Sequence, residues 1–238
     1  SCKLRFHTQT AGCSLTAQKP ENNIARTGFQ AMAAVLGGTQ SLHTNSMDET
    51  LALPSEKAAV IALRTQQLLA FETGVANVVD PLGGSWFIES LTDQIEEQAE
   101  KYFQNIENIG GVIPAIENGF FQREIAIAAS DYQKKIDEKK LIHVGVNDFK
   151  NIDEEIQIPI LEIGDHVEKQ QINSLEKLKS DRDENLVKEA LLKIKEACEN
   201  NINIMVPIIE AAKSHVTMGE IVETMKTEFG EWQETAVF

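Results

Sequence analysis

Two short runs hold most of the residues in this chain that could do chemistry. In "LRFHTQTAGCS", Arg5, His7 and Gln9 alternate with Leu4, Phe6 and Thr8. In "GGTQSLHTNSMDE", residues 37–49, Gln40, Leu42 and Thr44 alternate with Ser41, His43 and Asn45. On the period of two of a strand, the first run has one wholly polar face and the second has no apolar face at all. Strands that rest on a core normally set Val, Ile or Leu on at least one side. Neutral amides, hydroxyls and imidazoles bind and orient a ligand through hydrogen bonds. Asp48 and Glu49, in the turn beyond the second run, can accept hydrogen bonds from hydroxyls or amines, and Gly12 allows close backbone approach of a flat or bulky ligand. If both runs are strands of a parallel barrel, these polar groups belong near its C-terminal mouth, where barrel active sites are assembled. Two other arrangements are compatible with the pattern: a satisfied internal network, and strand edges wetted by solvent. Each such group buried without a partner would cost about 1–3 kcal/mol.

Other chemical templates fit less well. His7, His43, Asp48 and Glu49 could in principle hold a metal, but no helix carries a His-x-x-x-His pair, so no metal site is expected. Cys2, Cys13 and Cys198 lie far apart, with no Cys-x-x-Cys spacing and no catalytic motif around them, which fits small packing residues in a reducing compartment. His143, His166 and His215 stand alone. "LGGSW" lacks the lysine of a phosphate-binding loop and reads as a turn.

The elements that must position these residues alternate at first. "NNIARTGFQAMAAVLGG" sets Ile24, Gly28, Ala31, Met32 and Val35 on one helical face and closes on Gly37-Gly38. A strand is expected at about 39–45, then a helix capped by Ser55 that closes near Gly74, then a β-branched strand in "VANVVDP". Strand, helix, strand, helix, strand is the order of parallel βα units. After "LGGSWFIES" helices dominate: Ile95, Ala99, Tyr102, Ile106 and Ile109 form one apolar stripe, and Ile125, Ala129, Tyr132 and Ile136 form another. A brief strand is expected in "LIHVGVN", followed by an acidic connector at about 148–165. Val187, Ala190, Leu191, Ile194 and Cys198 share a face of a later helix, and Thr217-x-x-Glu220 matches a capping box.

Composition narrows the partners. With 37 acidic and 22 basic residues the formal net charge is -15, which repels a polyanion, so nucleic acid is not expected. No apolar run reaches the length of a bilayer span, the N-terminal residues hold no apolar signal core, and the expected setting is cytoplasmic. The 238 residues, 42% of them hydrophobic, suffice for one large core or two modest ones.

Longer stretches carry a resemblance. "LRFHTQTAGCSLTAQ", "NNIARTGFQAMAAVLGGTQSLHTNSMDETLALP" and "DPLGGSWFIESLT" closely resemble the large subunit of the methylmalonyl-CoA mutase family, as do "IENIGGVIPAIENGFFQREI", "VGVNDF" and "TMGEIVETMKTEFGEW". The resemblance implies an α/β fold: the C-terminal part of a TIM (β/α)8 barrel at residues 1–110, and a mainly helical extension at 111–238. It implies an adenosylcobalamin-dependent intramolecular transferase that rearranges acyl-CoA thioesters, with (R)-methylmalonyl-CoA to succinyl-CoA as the favoured reaction. Position by position, it places Gln9, Gly12 and Ala52 near the corrin and Asn45 and Glu49 at the adenosyl group. Gln40 and Ser41 would line the CoA channel, and Arg5 and His7 would meet the thioester or its CoA portion. Cys13 departs from the pattern, because some members set a tryptophan there.

What the resemblance implies for the family's chemistry is cobalt–carbon homolysis, hydrogen abstraction, migration of the thioester group and hydrogen return. The family's tyrosine and histidine near the migrating group, and its carboxylate-binding arginine, would precede residue 1, so no catalytic residue is assigned in this segment. The lower-ligand motif Asp-x-His-x-x-Gly is absent, and "FGEWQETAVF" resembles the end of a two-subunit mutase. The expected partners are an acyl-CoA, a separate cobalamin-binding subunit or domain, the N-terminal half of the barrel, and further copies or subunits in an oligomer. An isobutyryl-CoA or other branched acyl-CoA mutase, or a non-catalytic subunit that stabilises an active partner, also fits. The isolated chain is expected to give no turnover with adenosylcobalamin and methylmalonyl-CoA; measurable succinyl-CoA formation by it would contradict this.

Overall fold

In a computed structural model, residues 4–150 and 158–234 are described, and they form two compact units divided between residues 162 and 163. The acidic connector at 148–165 falls partly outside the described residues, as does Cys2.

The first unit is organised by two short strands, β1 (His7–Gln9) and β2 (Ser41–His43), which pair in parallel with His7 opposite Ser41, Thr8 opposite Leu42 and Gln9 opposite His43. Both strands are shorter than the alternation in the sequence suggests. Helix α1 (Asn22–Leu36) is the crossover between them, as a parallel pair requires. Asn22 and Asn23 lie inside its first turn. Gly38, at φ 80°, reverses the chain after α1, and the Thr39 N–H closes back on the Ala34 carbonyl. Helix α2 (Glu56–Phe71) starts where the Ser55 hydroxyl accepts the Ala58 N–H, and it packs along α1.

The expected third strand does not form. Gly74 takes φ 73°, and the Asn77 N–H returns to its carbonyl, so residues 75–77 make a turn of 3-10 helix instead. The β-branched valines favour a pleated surface only where a neighbouring edge is offered, and Val79 is left 96% exposed. "LIHVGVN" is likewise not a strand. Gly145 turns it at φ 81°, Asn147 spends its amide on the Ile136 and Leu141 carbonyls, and one bridge joins Val144 to Asp148. This loop docks on α1 where Arg26 donates to the Val144 carbonyl at 2.8 Å.

Helices α3 (Trp86–Ile109), α4 (Val112–Glu117) and α5 (Phe120–Asp137) complete the first unit. Gly110 ends α3 in the left-handed conformation, and Tyr102 on α3 donates to Glu124 on α5 at 2.7 Å. Although α3 is amphipathic, no residue on it is buried; Phe87, Ile95 and Phe103 stand exposed.

The second unit holds α6 (Asp165–Asp181), α7 (Glu184–Glu199), α8 (Met205–Lys213) and α9 (Met218–Phe229). Its core is the expected face of α7, with Val187, Ala190, Ile194 and Cys198 packed against Ala211, Val216, Ile208, Ile221 and Met225. The Thr217–Glu220 capping box forms on both sides: Thr217 accepts the Glu220 N–H, and the Glu220 carboxylate accepts the Thr217 N–H. The same carboxylate receives Arg182 in a two-pronged pair at 2.7 and 2.8 Å. The Arg182 side chain is 5% exposed and also donates to the His215 carbonyl and to Glu184, so one guanidinium links the start of α7 to the start of α9. Among the described residues no helix is long and apolar enough to cross a membrane.

The Arg182 guanidinium, helped by the Thr217 donors and opposed by burial, lowers the Glu220 carboxyl to about 2. A carboxylate held below its unfolded value stabilises the fold above that unfolded value, and this stabilisation drains away as pH falls toward the folded one. Glu220→Gln should therefore cost roughly 1.5–3 kcal/mol near neutral pH. In urea melts the gap between the two proteins should stay level down to about pH 4.5 and close below it. A gap that does not change with pH would contradict the pairing.

Candidate functional site

The polar residues of the two runs separate into an exposed sheet face and a cluster past the strand ends. On the sheet, the parallel register puts His7 and Gln9 on the same face as Ser41 and His43, and all four are exposed. His7 Nδ1 and Ser41 Oγ lie 2.7 Å apart, sharing one proton in a cross-strand hydrogen bond. Arg5 is exposed just ahead of β1. Gln40 is directed at the backbone: its Oε1 accepts the Phe6 N–H at 2.8 Å and its Nε2 donates to the Gly38 carbonyl at 2.9 Å. It also lines, with Ser41, Leu42, Gln66, Leu69 and Val75, an open cleft of about 230 Å³ behind β2.

Past the strand ends burial rises sharply. Residues 44–48 are all buried, a run of Thr, Asn, Ser, Met and Asp. Most of this polarity is satisfied internally. Thr44 donates to the Ala62 carbonyl on α2 and accepts from Gln66, and Thr27 on α1 reaches the Asn45 carbonyl. Asn23, fully buried on α1, donates to the Thr16 and Met47 carbonyls and accepts from the Thr16 N–H and from Arg26. The Asp48 Oδ2 accepts both the N–H and the hydroxyl of Ser55, tying the turn to the first residue of the α2 cap. Asp48 is therefore a structural brace, and Glu49 beside it is the exposed acid.

Two atoms in this run are left over. The Nδ2 of Asn45 and the Oδ1 of Asp48 are buried with no hydrogen-bond partner among the described residues. The first adjoins Gly12: a Cβ on Gly12 would stand 3.1 Å from Asn45 Nδ2 and 3.9 Å from Glu49 Oε1. Gly12, Asn45 and Glu49, expected to share a site, are thus brought together. Gly12 supplies an exposed gap, Asn45 an unspent donor and Glu49 an acceptor. Ala52, half-buried, sits one turn on and is held by its N–H to the Asp48 carbonyl. Gln9 ends β1 on the exposed sheet face. Cys13 is exposed next to Gly12.

Sequence reasoning overlooked Thr10, which is buried and exchanges two hydrogen bonds with Asn45. Its signal was parity: Thr10 continues the inward face of Thr8, as Thr44 continues that of Leu42. Asn23 was also missed, hidden within a helix whose other spacing is apolar. Among the described residues, no three His, Cys, Asp or Glu side chains gather in a way that could hold a metal ion.

Comparison with known proteins gives the chain a family. The family model described as methylmalonyl-CoA mutase matches residues 1–231. Methylmalonyl-CoA mutase of Escherichia coli K12 is 44% identical over 230 residues, covering 96% of this chain and 32% of that protein. The 2-hydroxyisobutanoyl-CoA mutase large subunit of Aquincola tertiaricarbonis is 41% identical over 241 residues, 100% of this chain and 42% of that one. The human mitochondrial methylmalonyl-CoA mutase is 42% identical over 233 residues, 97% of this chain and 31% of that one. The chain thus spans between 31% and 42% of the length of these relatives. With a match that takes in both strands, the buried run and the helices of both units, the chain belongs to the methylmalonyl-CoA mutase family.

Proposed function

We propose that this chain supplies the cofactor-facing end of an adenosylcobalamin-dependent acyl-CoA mutase, working in a cytoplasmic setting and converting (R)-methylmalonyl-CoA to succinyl-CoA. The observation that carries the reading is the buried, unspent Nδ2 of Asn45, set beside the gap at Gly12 and the carboxylate of Glu49. A donor and an acceptor side by side suit the hydroxyls of a ribose, each of which both gives and takes a hydrogen bond. The donor set is neutral apart from Glu49, and it fits the nucleoside of adenosylcobalamin. When bound, that group supplies the radical chemistry. The chain's own residues bind and orient.

On this reading β1 and β2 are neighbouring strands of a TIM barrel. Their parallel pairing, the helical crossover of α1 and a sheet face of exposed polar groups support it. His7, Gln40 and Ser41 then line the space for the acyl-CoA, with Gln40 also bracing the strand junction and Arg5 at the far end. Gly12 lets the cofactor approach the strand ends, Gln9 and Ala52 flank the corrin, and the buried run at 44–48 keeps water from the reacting centre. A separate cobalamin-binding subunit or domain and the remaining barrel strands complete the assembly. A second reading, a mutase acting on 2-hydroxyisobutanoyl-CoA, is favoured by the relative of that name, whose match takes in 100% of this chain and 42% of that protein.

Assay of the full-length protein with adenosylcobalamin and each thioester decides between them. Consumption of methylmalonyl-CoA with formation of succinyl-CoA is the expected result, and turnover of neither would overturn the reading. Within the active enzyme, Gly12→Ala should raise the KM for adenosylcobalamin about tenfold, because its Cβ must push the Asn45 amide aside by a few tenths of an ångström. An unchanged KM would contradict the assigned cradle. Glu49→Gln, which keeps the shape and halves the acceptor strength, should lower kcat/KM for the cofactor by roughly tenfold.

A further inference from the structure

We infer that Thr10 is a positioning residue that decides which end of the Asn45 amide meets the ligand. The Thr10 hydroxyl accepts the Asn45 backbone N–H at 2.9 Å and donates to Asn45 Oδ1, also at 2.9 Å. Both residues are buried, Thr10 at 4% and Asn45 at 2% exposure, so water offers neither a substitute.

The proton count fixes the orientation. A hydroxyl has one hydrogen to give, and with its oxygen already accepting from the backbone, that hydrogen needs an acceptor. Oδ1 is the acceptor in reach. Turning the amide over would bring Nδ2 to Thr10, strand the hydroxyl hydrogen and leave Oδ1 buried without a donor. Two buried groups would then be unsatisfied, where the present arrangement leaves one. Thr10 therefore spends the carbonyl end of Asn45 inside the protein and leaves the NH2 end beside the Gly12 gap. The same pair carries the β1–β2 register one step beyond the sheet, since the Thr10 N–H also donates to the His43 carbonyl at 3.1 Å. The consequence is a specificity rule: the ligand group that reaches Asn45 must be an acceptor, and any donor it carries must turn toward Glu49.

This inference rests on the reading that a nucleoside occupies the site, and the test separates the two. In the full-length protein, binding of 5′-deoxyadenosine and, separately, of hydroxocobalamin, which lacks the adenosyl group, is titrated for wild type, Thr10→Ser, Thr10→Val, Asn45→Asp and the Thr10→Val/Asn45→Asp double variant. Thr10→Val should weaken 5′-deoxyadenosine about tenfold and change hydroxocobalamin by less than about twofold. Thr10→Ser, which keeps the hydroxyl, should restore nucleoside binding. Asn45→Asp should weaken the nucleoside by itself, and adding Thr10→Val to it should cost less than about a further twofold, because the donor that Thr10 orients is already gone. Should Thr10→Val melt early, Thr10→Ala removes the same hydroxyl with less steric demand and is held to the same expectation. Nucleoside affinity unmoved by loss of the hydroxyl, or losses from Thr10→Val and Asn45→Asp that simply multiply, would overturn the inference while leaving the nucleoside site standing. Wild-type protein that binds no 5′-deoxyadenosine would overturn the site itself, and this inference with it.

Discussion

Everything at the candidate site depends on one parallel register. His7 faces Ser41, Gln9 faces His43, and the alignment is prolonged past the last ladder bond by the exchange between Thr10 and Asn45. A slip of one residue would turn every side chain of a strand to the opposite face. His7 and Gln9 would leave the polar face they share with Ser41 and His43, and Thr10 would lose Asn45. Three-residue strands have little ladder energy with which to resist such a slip. The buried hydroxyl–amide pair is what makes the register costly to change.

Around that register the protein builds a core that is unusually polar. On α1 the buried stripe is Asn23, Thr27 and Ala31, of which Asn23 and Thr27 donate to the Met47 and Asn45 carbonyls, while the buried Thr44 and Asp48 bond to α2 and its cap. Such groups are tolerated because each has at least one hydrogen-bond partner, and a paired network holds its members in one arrangement where an oily core would let them slide. Asp48 shows the logic: it tightens the turn through its own carbonyl and anchors the cap of α2 through its carboxylate, so the segment from Asn45 to Glu49 is fixed at both ends. Against that background an orphaned donor is informative. Native proteins rarely leave one, and this one adjoins the exposed glycine and acid.

Much of this was legible in the sequence, for reasons that differ by element. Helix boundaries were readable because their signals are local: Gly37-Gly38 after α1, Ser55 before α2 and the Thr217–Glu220 box before α9 each act within a few residues. The α7 face was readable because period 3.6 maps directly onto burial. The two later strands were misread because a strand is not a local object. Val75 to Val79 and Leu141 to Val146 have the composition of strands, but Gly74 and Gly145 bend the backbone and no edge in the described residues receives them. At the site, the convergence of Gly12, Asn45 and Glu49 was anticipated from family resemblance, and the polar alternation gave it a physical reason. The burial of Thr10 and Asn23 was not anticipated, because partners 35 and 24 residues away decide whether a polar side chain can be taken out of water.

The central claim is that Asn45 Nδ2 is left unspent in order to meet a nucleoside. A crystal structure of the full-length protein with 5′-deoxyadenosine bound tests it most directly. The account predicts a ribose oxygen at hydrogen-bond distance from Asn45 Nδ2, about 2.7–3.2 Å, with Thr10 still bonded to Oδ1 and a second hydroxyl turned to Glu49. A nucleoside seated elsewhere, or one that meets Asn45 through Oδ1, would contradict it.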